Sequence, residues 1–137
     1  MKTKIIVGIG LLTMVLTTTL SCNKEAGIGG SSTIKGTLMG FELNPATGDT
    51  ISTYALSDER IFIIYGDDNA EAYHDSFKSS WNGQYRFEYL KKGTYFIFGY
   101  QECLTCATGE EAVFATVEIT KNGTEIDLGN LMLDQTQ

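Results

Sequence analysis

Hydrophobic and polar residues alternate along most of the chain after residue 32, and short groups of glycine, asparagine and aspartate separate the alternating runs. A period of two is typical of β-strands, because successive side chains point to opposite faces, and helical spacing is not sustained in this part of the sequence. The cleanest run predicts an inward row of Val113, Ala115, Val117 and Ile119 and an outward row of Phe114, Thr116, Glu118 and Thr120. We predict seven strands, at residues 33–41, 60–66, 72–79, 84–89, 94–101, 112–121 and 125–133, in an all-β two-sheet sandwich.

Turn signals and one doubly apolar run refine this arrangement. Asn82-Gly83 and Asn122-Gly123 each stand between two predicted strands. An Asn-Gly pair accepts the positive φ angles of a type I′ turn, so we expect each pair to close a hairpin. The run 60–65 is apolar on both faces, which predicts a central strand covered on each side.

The connection 42–58 is long for a compact domain and holds the only proline of the chain, Pro45, together with Gly48. Long connections are often functional, so Pro45, Gly48 and Asp49 form a possible binding loop. An edge strand within residues 50–56 is the alternative interpretation, and the sequence leaves both open.

The N-terminus has the order of an export signal, because Lys2 and Lys4 precede an uncharged stretch at residues 5–20 and Ser21 stands before Cys22. This ending resembles a lipobox, in which a small residue precedes a cysteine that receives diacylglycerol and becomes the new N-terminus. An uncleaved anchor and ordinary secretion are the alternatives. We predict a cleaved lipoprotein signal peptide at 1–21, a lipidated Cys22 with a flexible tether at 22–32, and one domain at 33–137.

The residue after the cysteine bears on sorting. Asn23 replaces the aspartate that retains many Gram-negative lipoproteins in the inner membrane. We therefore expect a cell-envelope protein anchored by its lipid in the outer membrane. Its periplasmic or surface side stays open.

Size and charge limit the choice of partners. Loss of residues 1–21 from the 137-residue chain leaves 116 residues, which suit a single domain. Without Lys2 and Lys4, eight basic side chains stand against seventeen acidic ones, a charge of about −9. An acidic surface disfavours a nucleic-acid partner.

One motif resembles a known family. Residues 83–95 contain the pattern Gly-x-Tyr-x-Phe-x-x-Leu-x-x-Gly-x-Tyr. It resembles the carboxypeptidase regulatory-like, or prealbumin (transthyretin)-like, β-sandwich, whose members open with a strand similar to residues 34–38 and a turn similar to 46–49. The stretch 63–121 is also similar to a group of small Gram-negative envelope lipoproteins. The resemblance implies a seven-stranded Greek-key-type sandwich, and the family has no common activity.

Few side chains suggest chemistry. His74 is the only histidine, whereas transthyretin-like hydrolases use several together. A zinc site would need Cys103, Cys106 and a carboxylate from another loop, which the spacing does not require. We expect no metal, no cofactor and no enzymatic activity.

Cys103 and Cys106 are expected to form a structural disulfide in an oxidising compartment. A thiol-disulfide oxidoreductase is the alternative function. In thioredoxin-like sites a helix N-terminus favours the thiolate, but here the pair lies between two predicted strands. Glu102, Glu110 and Glu111 would oppose a thiolate further.

A row of aromatic residues is the other candidate surface. Phe96, Phe98 and Tyr100 alternate with Tyr95 and Ile97, so one row leaves the inner face unless the strand is covered on both sides, the interpretation we favour. The sequence as a whole predicts a non-enzymatic, lipid-anchored envelope module. We expect it to bind a protein or glycan, or to support an outer-membrane complex.

Overall fold

The computed structural model describes residues 25–69 and 72–136 of the chain. Cys22 and the predicted signal peptide lie outside these described residues. In them we find no helix that is both long and apolar enough to cross a membrane. The described residues form eight strands: β1 (Ile28–Leu43), β2 (Thr50–Ala55), β3 (Arg60–Tyr65), β4 (Asp75–Lys78), β5 (Gln84–Leu90), β6 (Gly93–Glu102), β7 (Glu110–Ile119) and β8 (Glu125–Asp134).

The strands form two sheets. In the first sheet, β1 pairs in parallel with β8 and antiparallel with both β5 and β2. The residues of β1 that pair with β8 overlap both those that pair with β5 and those that pair with β2. β8 therefore lies along one edge of β1, and β5 and β2 lie end to end along the other edge. The second sheet is antiparallel, in the order β4-β3-β6-β7.

The main core lies between the two sheets, where the inner rows of the strands meet. Side chains that are completely buried include Ile34 and Leu38 of β1, Ile61 and Ile63 of β3, and Tyr95 and Ile97 of β6. Each such side chain contributes about 1.5 to 3 kcal/mol by leaving water. Val117 and Ile119 of β7 are also buried, which confirms the predicted inward row at its C-terminal half.

Several strand bounds differ from the sequence prediction, and the strand predicted at 72–79 covers only Asp75–Lys78. The first strand begins at Ile28 rather than at residue 33, so the later part of the predicted tether belongs to a strand that pairs with β5. The connection 42–58 contains β2, which pairs with the C-terminal half of β1. Residues 25–69 and 72–136 therefore contain eight strands rather than seven, and the edge-strand interpretation of that connection is correct.

The two predicted Asn-Gly hairpins are wrong. Residues 82–83 connect β4 of the second sheet to β5 of the first, and residues 122–123 connect β7 of the second sheet to β8 of the first. Only the glycines have positive φ, +77° at Gly83 and +71° at Gly123, whereas a type I′ turn needs positive φ at both positions. At Gly83 a Cβ would come within 2.4 Å of the Leu38 carbonyl oxygen, so this glycine serves a close approach between strands.

The loops gather at two ends of the sandwich. The N-terminal end carries residues 25–27, the β3–β4 loop, the β5–β6 turn and the β7–β8 connection. The hairpin end carries the β1–β2 turn, the β6–β7 loop and the C-terminus. Hydrogen bonds tie the sheets at both ends, from the Gly27 amide to the Tyr95 hydroxyl and from the Asp134 amide to Gln101 Oε1.

Candidate binding surface

An aromatic surface covers the outer side of the second sheet. Its central strands β3 and β6 are apolar on both faces, so while Ile63 and Ile97 enter the core, the alternate side chains point away from it. We call this surface the aromatic face, and its members are Phe62, Tyr73, Phe96, Phe98, Tyr100 and Phe114.

The rings of the aromatic face pack against one another. The Phe98 ring lies 5.1 Å from Phe62 and 4.9 Å from Phe114, measured between centroids. Tyr100 stands edge-on to Phe62 and to Phe98, at 5.5 Å from each. Tyr73 reaches over from the β3–β4 loop to within 4.7 Å of Phe62. Offset and edge-on arrangements of this kind are the favourable ones for aromatic pairs.

The aromatic face has a buried layer and an exposed layer. Phe62 and Phe98 are 8% and 4% exposed, and they form a second small core with Ile64. Tyr73, Tyr100 and Phe114 are 51%, 45% and 40% exposed. The favoured prediction of a strand covered on both sides is therefore right for Phe98 and wrong for Tyr100, because within the described residues the cover consists of neighbouring rings.

Polar groups border the rings. Thr116 lies opposite Phe96, and Glu118 opposite Thr94, so these polar side chains share the outward side of the sheet. On the other flank, Ser76 lies opposite Phe62, and its hydroxyl accepts a hydrogen bond from Arg60 Nη1 at 3.1 Å. The surface thus offers ring faces surrounded by hydroxyl and carboxylate groups.

The outer side of the first sheet is charged instead. Lys35 Nζ and Arg86 Nη2 both contact the Glu125 carboxylate, the latter at 3.1 Å, and Arg86 Nε also reaches Glu88 at 2.6 Å. The hydrogen bond from Lys35, assisted by its charge and by Arg86, lowers the pKa of Glu125 below the usual 4.5.

Cys103 and Cys106 form the predicted disulfide in the β6–β7 loop, with 5.3 Å between their Cα atoms. The Cys103 amide also donates a hydrogen bond to the Gly109 carbonyl at 2.9 Å, which closes the loop further. The Glu111 carboxylate lies within 4.8 Å of both sulfur atoms, the one described group of three donors close enough for a metal ion. Both sulfur atoms are already bonded to each other, and the neighbouring carboxylate would oppose a thiolate.

His74 does not join that group. It lies at the N-terminal end, where its Nδ1 accepts a hydrogen bond from the Tyr65 amide at 3.1 Å and its ring stacks on Tyr65 at 4.8 Å. The disulfide is at the hairpin end. The structure therefore does not bring the histidine and the cysteines together.

Pro45, Gly48 and Asp49, the predicted binding loop, form the exposed turn between β1 and β2. The turn is closed by hydrogen bonds from the Asn44 amide to the Asp49 carbonyl and from the Gly48 amide to the Asn44 carbonyl, at 2.8 and 2.7 Å. These residues lie at the hairpin end of the first sheet, away from the centre of the aromatic face.

Alternation along β3 and β7 predicts that Phe62 and Phe114 point to the same side of the sheet as Phe98. In the sequence, only the row on β6 stood out as a candidate surface. Tyr73 lies within the predicted strand 72–79, but the strand begins only at Asp75, so that prediction did not give the position of its ring.

No protein-family model and no curated protein matches the chain. Among solved structures, the fold is similar to a crystal structure from Pseudomonas aeruginosa of a "putative carbohydrate binding protein". The TM-score is 0.47 and the sequence identity 13%, and the match covers 80% of this chain and 92% of that chain. The similarity concerns the fold, and what the neighbour binds is a property of that protein.

Proposed function

We propose that this chain is a non-enzymatic, lipid-anchored module of the Gram-negative outer membrane that binds a glycan through the aromatic face. The observation that carries the proposal is the exposed layer of Tyr73, Tyr100 and Phe114, packed on the buried rings of Phe62 and Phe98. Rings fixed by such packing lose little conformational freedom when a ligand binds, which favours affinity.

The size of the surface favours a glycan over a protein. An aromatic side chain offers about 200 Å², so three half-exposed rings present roughly 300 Å² of apolar surface. A stable protein interface needs about 800 Å² from each partner, of which a little over half is apolar, so its apolar part alone is about 450 Å². The apolar faces of a few sugar rings match the smaller area, and the bordering hydroxyl and carboxylate groups supply partners for sugar hydroxyls.

We also propose that the domain belongs to the carboxypeptidase regulatory-like, or prealbumin-like, sandwiches. The motif positions all have structural roles that support this assignment. Tyr85, Phe87, Leu90 and Tyr95 are buried in the core, and Gly83 and Gly93 have positive φ. Such a scaffold carries no common activity, so the ligand must be argued from the surface.

The lipid anchor is tested separately from the ligand. Cys22→Ala should abolish incorporation of labelled palmitate and release the domain from membranes. An unchanged membrane fraction for the variant would contradict the anchor.

The ligand is tested by affinity electrophoresis or calorimetry of the mature domain with soluble envelope polysaccharides and peptidoglycan fragments. Tyr100→Ala and Phe114→Ala should each weaken binding at least tenfold. Tyr54→Ala is the matched control, because Tyr54 is also 40% exposed but lies on β2 of the first sheet. Equal losses for Tyr54→Ala and Phe114→Ala, or capture of a protein and no glycan, would contradict the proposal.

The β1–β2 turn is the rival surface. A Pro45→Ala, Asp49→Ala double variant should bind as the parent does. If that variant alone loses the glycan, the binding site is the turn and not the aromatic face.

The thiol-disulfide alternative has its own measurement. Thiol labelling followed by intact mass should find Cys103 and Cys106 unreactive until reductant is added, and the protein should not reduce insulin. Turnover of a dithiol substrate would establish the alternative.

A further inference from the structure

The first described residues are held firmly against the domain. The Gly27 amide donates a hydrogen bond to the Tyr95 hydroxyl at 3.0 Å, and the Lys91 amide donates to the Gly27 carbonyl at 2.8 Å. The Tyr95 hydroxyl in turn lies 2.8 Å from the Lys91 carbonyl and 3.1 Å from that of Gly27. Ala26 packs on Gly93, where a Cβ would come within 2.7 Å of the Ala26 side chain. Ala26 is therefore already packed on the domain.

This contact leaves little chain between the domain and the predicted lipid. Three residues lie between Cys22 and Ala26, and even if fully extended the four Cα-to-Cα steps span at most about 14 Å. The headgroup layer on each side of a bilayer is roughly 5 to 8 Å thick. A lipid on Cys22 would therefore hold the N-terminal end of the sandwich at or near the headgroups.

The N-terminal end of the sandwich exposes side chains that are compatible with contact to lipid headgroups. Ile28 and Tyr89 are 64% and 70% exposed, and they lie close together because Ile28 pairs with Leu90. Tyr89 has a φ of +59°, a left-handed conformation that costs a residue with a side chain about 1 to 2 kcal/mol. Strained residues of this kind concentrate at functional sites.

Basic side chains surround the same end. Lys91 and Lys92 form the β5–β6 turn, and Lys121 follows β7. Within residues 25–69 and 72–136, none of the three is in an ion pair. Acidic side chains are also present, namely Glu25 beside the lysine turn and Asp67 and Asp68 in the β3–β4 loop. Asp75 and Glu88 also line one groove with Ile28 and Tyr89. This end of the sandwich therefore carries both signs of charge, with the lysines in the β5–β6 turn and after β7.

We propose that Ile28, Tyr89, Lys91, Lys92 and Lys121, here called the N-terminal patch, dock on the headgroup region of a phospholipid bilayer. The inference rests on the proposed lipidation of Cys22. Tyrosine is favoured at the membrane interface because its ring is apolar and its hydroxyl is polar, and lysines are attracted to anionic headgroups. Docking holds the strands upright, so the hairpin end points away from the bilayer and the aromatic face stays open to the side.

Fluorescence of two single-tryptophan proteins tests the contact. The parent contains one tryptophan, Trp81, which is 86% exposed and precedes β5. Tyr89 lies at the far end of β5, more than about 15 Å further along the strand direction. The second protein is therefore Trp81→Phe with Tyr89→Trp. Both are purified as mature lipoproteins and reconstituted into vesicles of phosphatidylethanolamine and phosphatidylglycerol, with or without lipids brominated near the headgroup.

Bromine should quench the tryptophan at position 89 at least twofold more than Trp81. Adding Lys91→Glu and Lys92→Glu should reduce that ratio toward one at low salt. Equal quenching of both tryptophans in proteins that carry the lipid and float with the vesicles would overturn the docking and leave the anchor intact. A protein that lacks the lipid mass and does not float would overturn the anchor and the docking with it.

Discussion

The two sheets of the sandwich bury similar inner faces and expose opposite kinds of surface. On the first sheet, Lys35, Arg86 and Glu125 form a network of exposed charges over β1, β5 and β8. On the second sheet, stacked rings such as Phe62 and Phe98 continue the apolar interior outward and form a second small core. Charged side chains are well solvated by water, whereas exposed rings keep apolar area in contact with water unless a ligand or partner covers it.

The difference follows from the residue patterns of single strands. β5 alternates buried and exposed positions regularly up to Glu88, as a strand with one wet face should. β3 has four consecutive buried residues, from Ile61 to Ile64. A run of that kind indicates a strand whose outer face is also apolar, because it packs against other side chains or contacts a ligand.

The largest expected effect comes from the buried layer of the aromatic face. Phe98→Ala should lower the free energy of unfolding by about 3 to 5 kcal/mol, because a ring that is 4% exposed is removed from between Phe62 and Phe114. Urea denaturation measures this loss. Gln84→Ala, at an exposed site on the first sheet, should stay within about 0.5 kcal/mol of the parent. A Phe98→Ala loss below 1 kcal/mol would mean that the outer rings do not form a core.

The sequence could predict the rows but not the partners of the strands. Tyr95 and Ile97 point inward, with Phe96 and Phe98 on the other side, because the period of two fixes relative faces. The Asn-Gly pairs suggested hairpins because turn chemistry is local, while the sheet that a strand joins depends on contacts distant in sequence.

The sequence could not predict all members of the aromatic face either. Tyr73 reaches the aromatic face from the β3–β4 loop, whereas the sequence predicted it within a strand at 72–79, because β4 begins only at Asp75. The glycine-rich segment 27–31 resembled a tether because it has few apolar side chains. Its order comes from backbone pairing with β5 and from the Tyr95 hydroxyl, neither of which leaves a mark in the hydrophobic pattern.

The second prediction concerns the disulfide, which closes the turn Cys103–Cys106 directly after β6, in the loop that leads to β7 of the second sheet. Replacing Cys103 and Cys106 by serine should cost about 2 kcal/mol, because the cross-link restricts a short loop in the unfolded chain. Reduction of the parent with dithiothreitol should give the same urea midpoint as the double variant. A parent whose midpoint is unchanged by reduction would show that hydrogen bonds alone hold this loop.

The third prediction compares one buried tyrosine from each sheet. Tyr95→Phe should cost about 1 to 3 kcal/mol, because its hydroxyl bonds to Gly27 and Lys91. The Tyr85 hydroxyl is buried and has no hydrogen-bond partner among the described residues, so Tyr85→Phe should leave stability equal or higher. Thermal unfolding of the two variants checks the difference, and equal losses would contradict it.

Unfolding at alkaline pH gives a further test of the buried Tyr85. Burial, and to a lesser degree the charge of Asp127, raises the pKa of Tyr85 from the usual 10.0 to about 12. The unfolded chain therefore loses this proton first, and the parent loses stability as pH rises from 10 to 12. Tyr85→Phe should lose less over that range than the parent does.

The smallest effect is expected on the charged face of the first sheet. Lys35 and Arg86 lower the pKa of Glu125 below the usual 4.5, so the unfolded chain binds more protons at this site than the folded one in acid. The stabilisation is therefore present above about pH 4.5 and is lost as pH falls through the lower folded value. Glu125→Gln should reduce stability slightly at neutral pH and hardly at all below that window. Because exposed charges are screened, concentrated salt should also reduce the difference in stability between parent and variant at neutral pH.

Glu118→Gln is the control, because Glu118 is exposed on the second sheet and lies outside the described ion pairs. This variant should change neither the pH dependence nor the salt dependence of stability. If Glu118→Gln reproduces the acid dependence, the effect belongs to the net charge of the protein and not to the network of the first sheet.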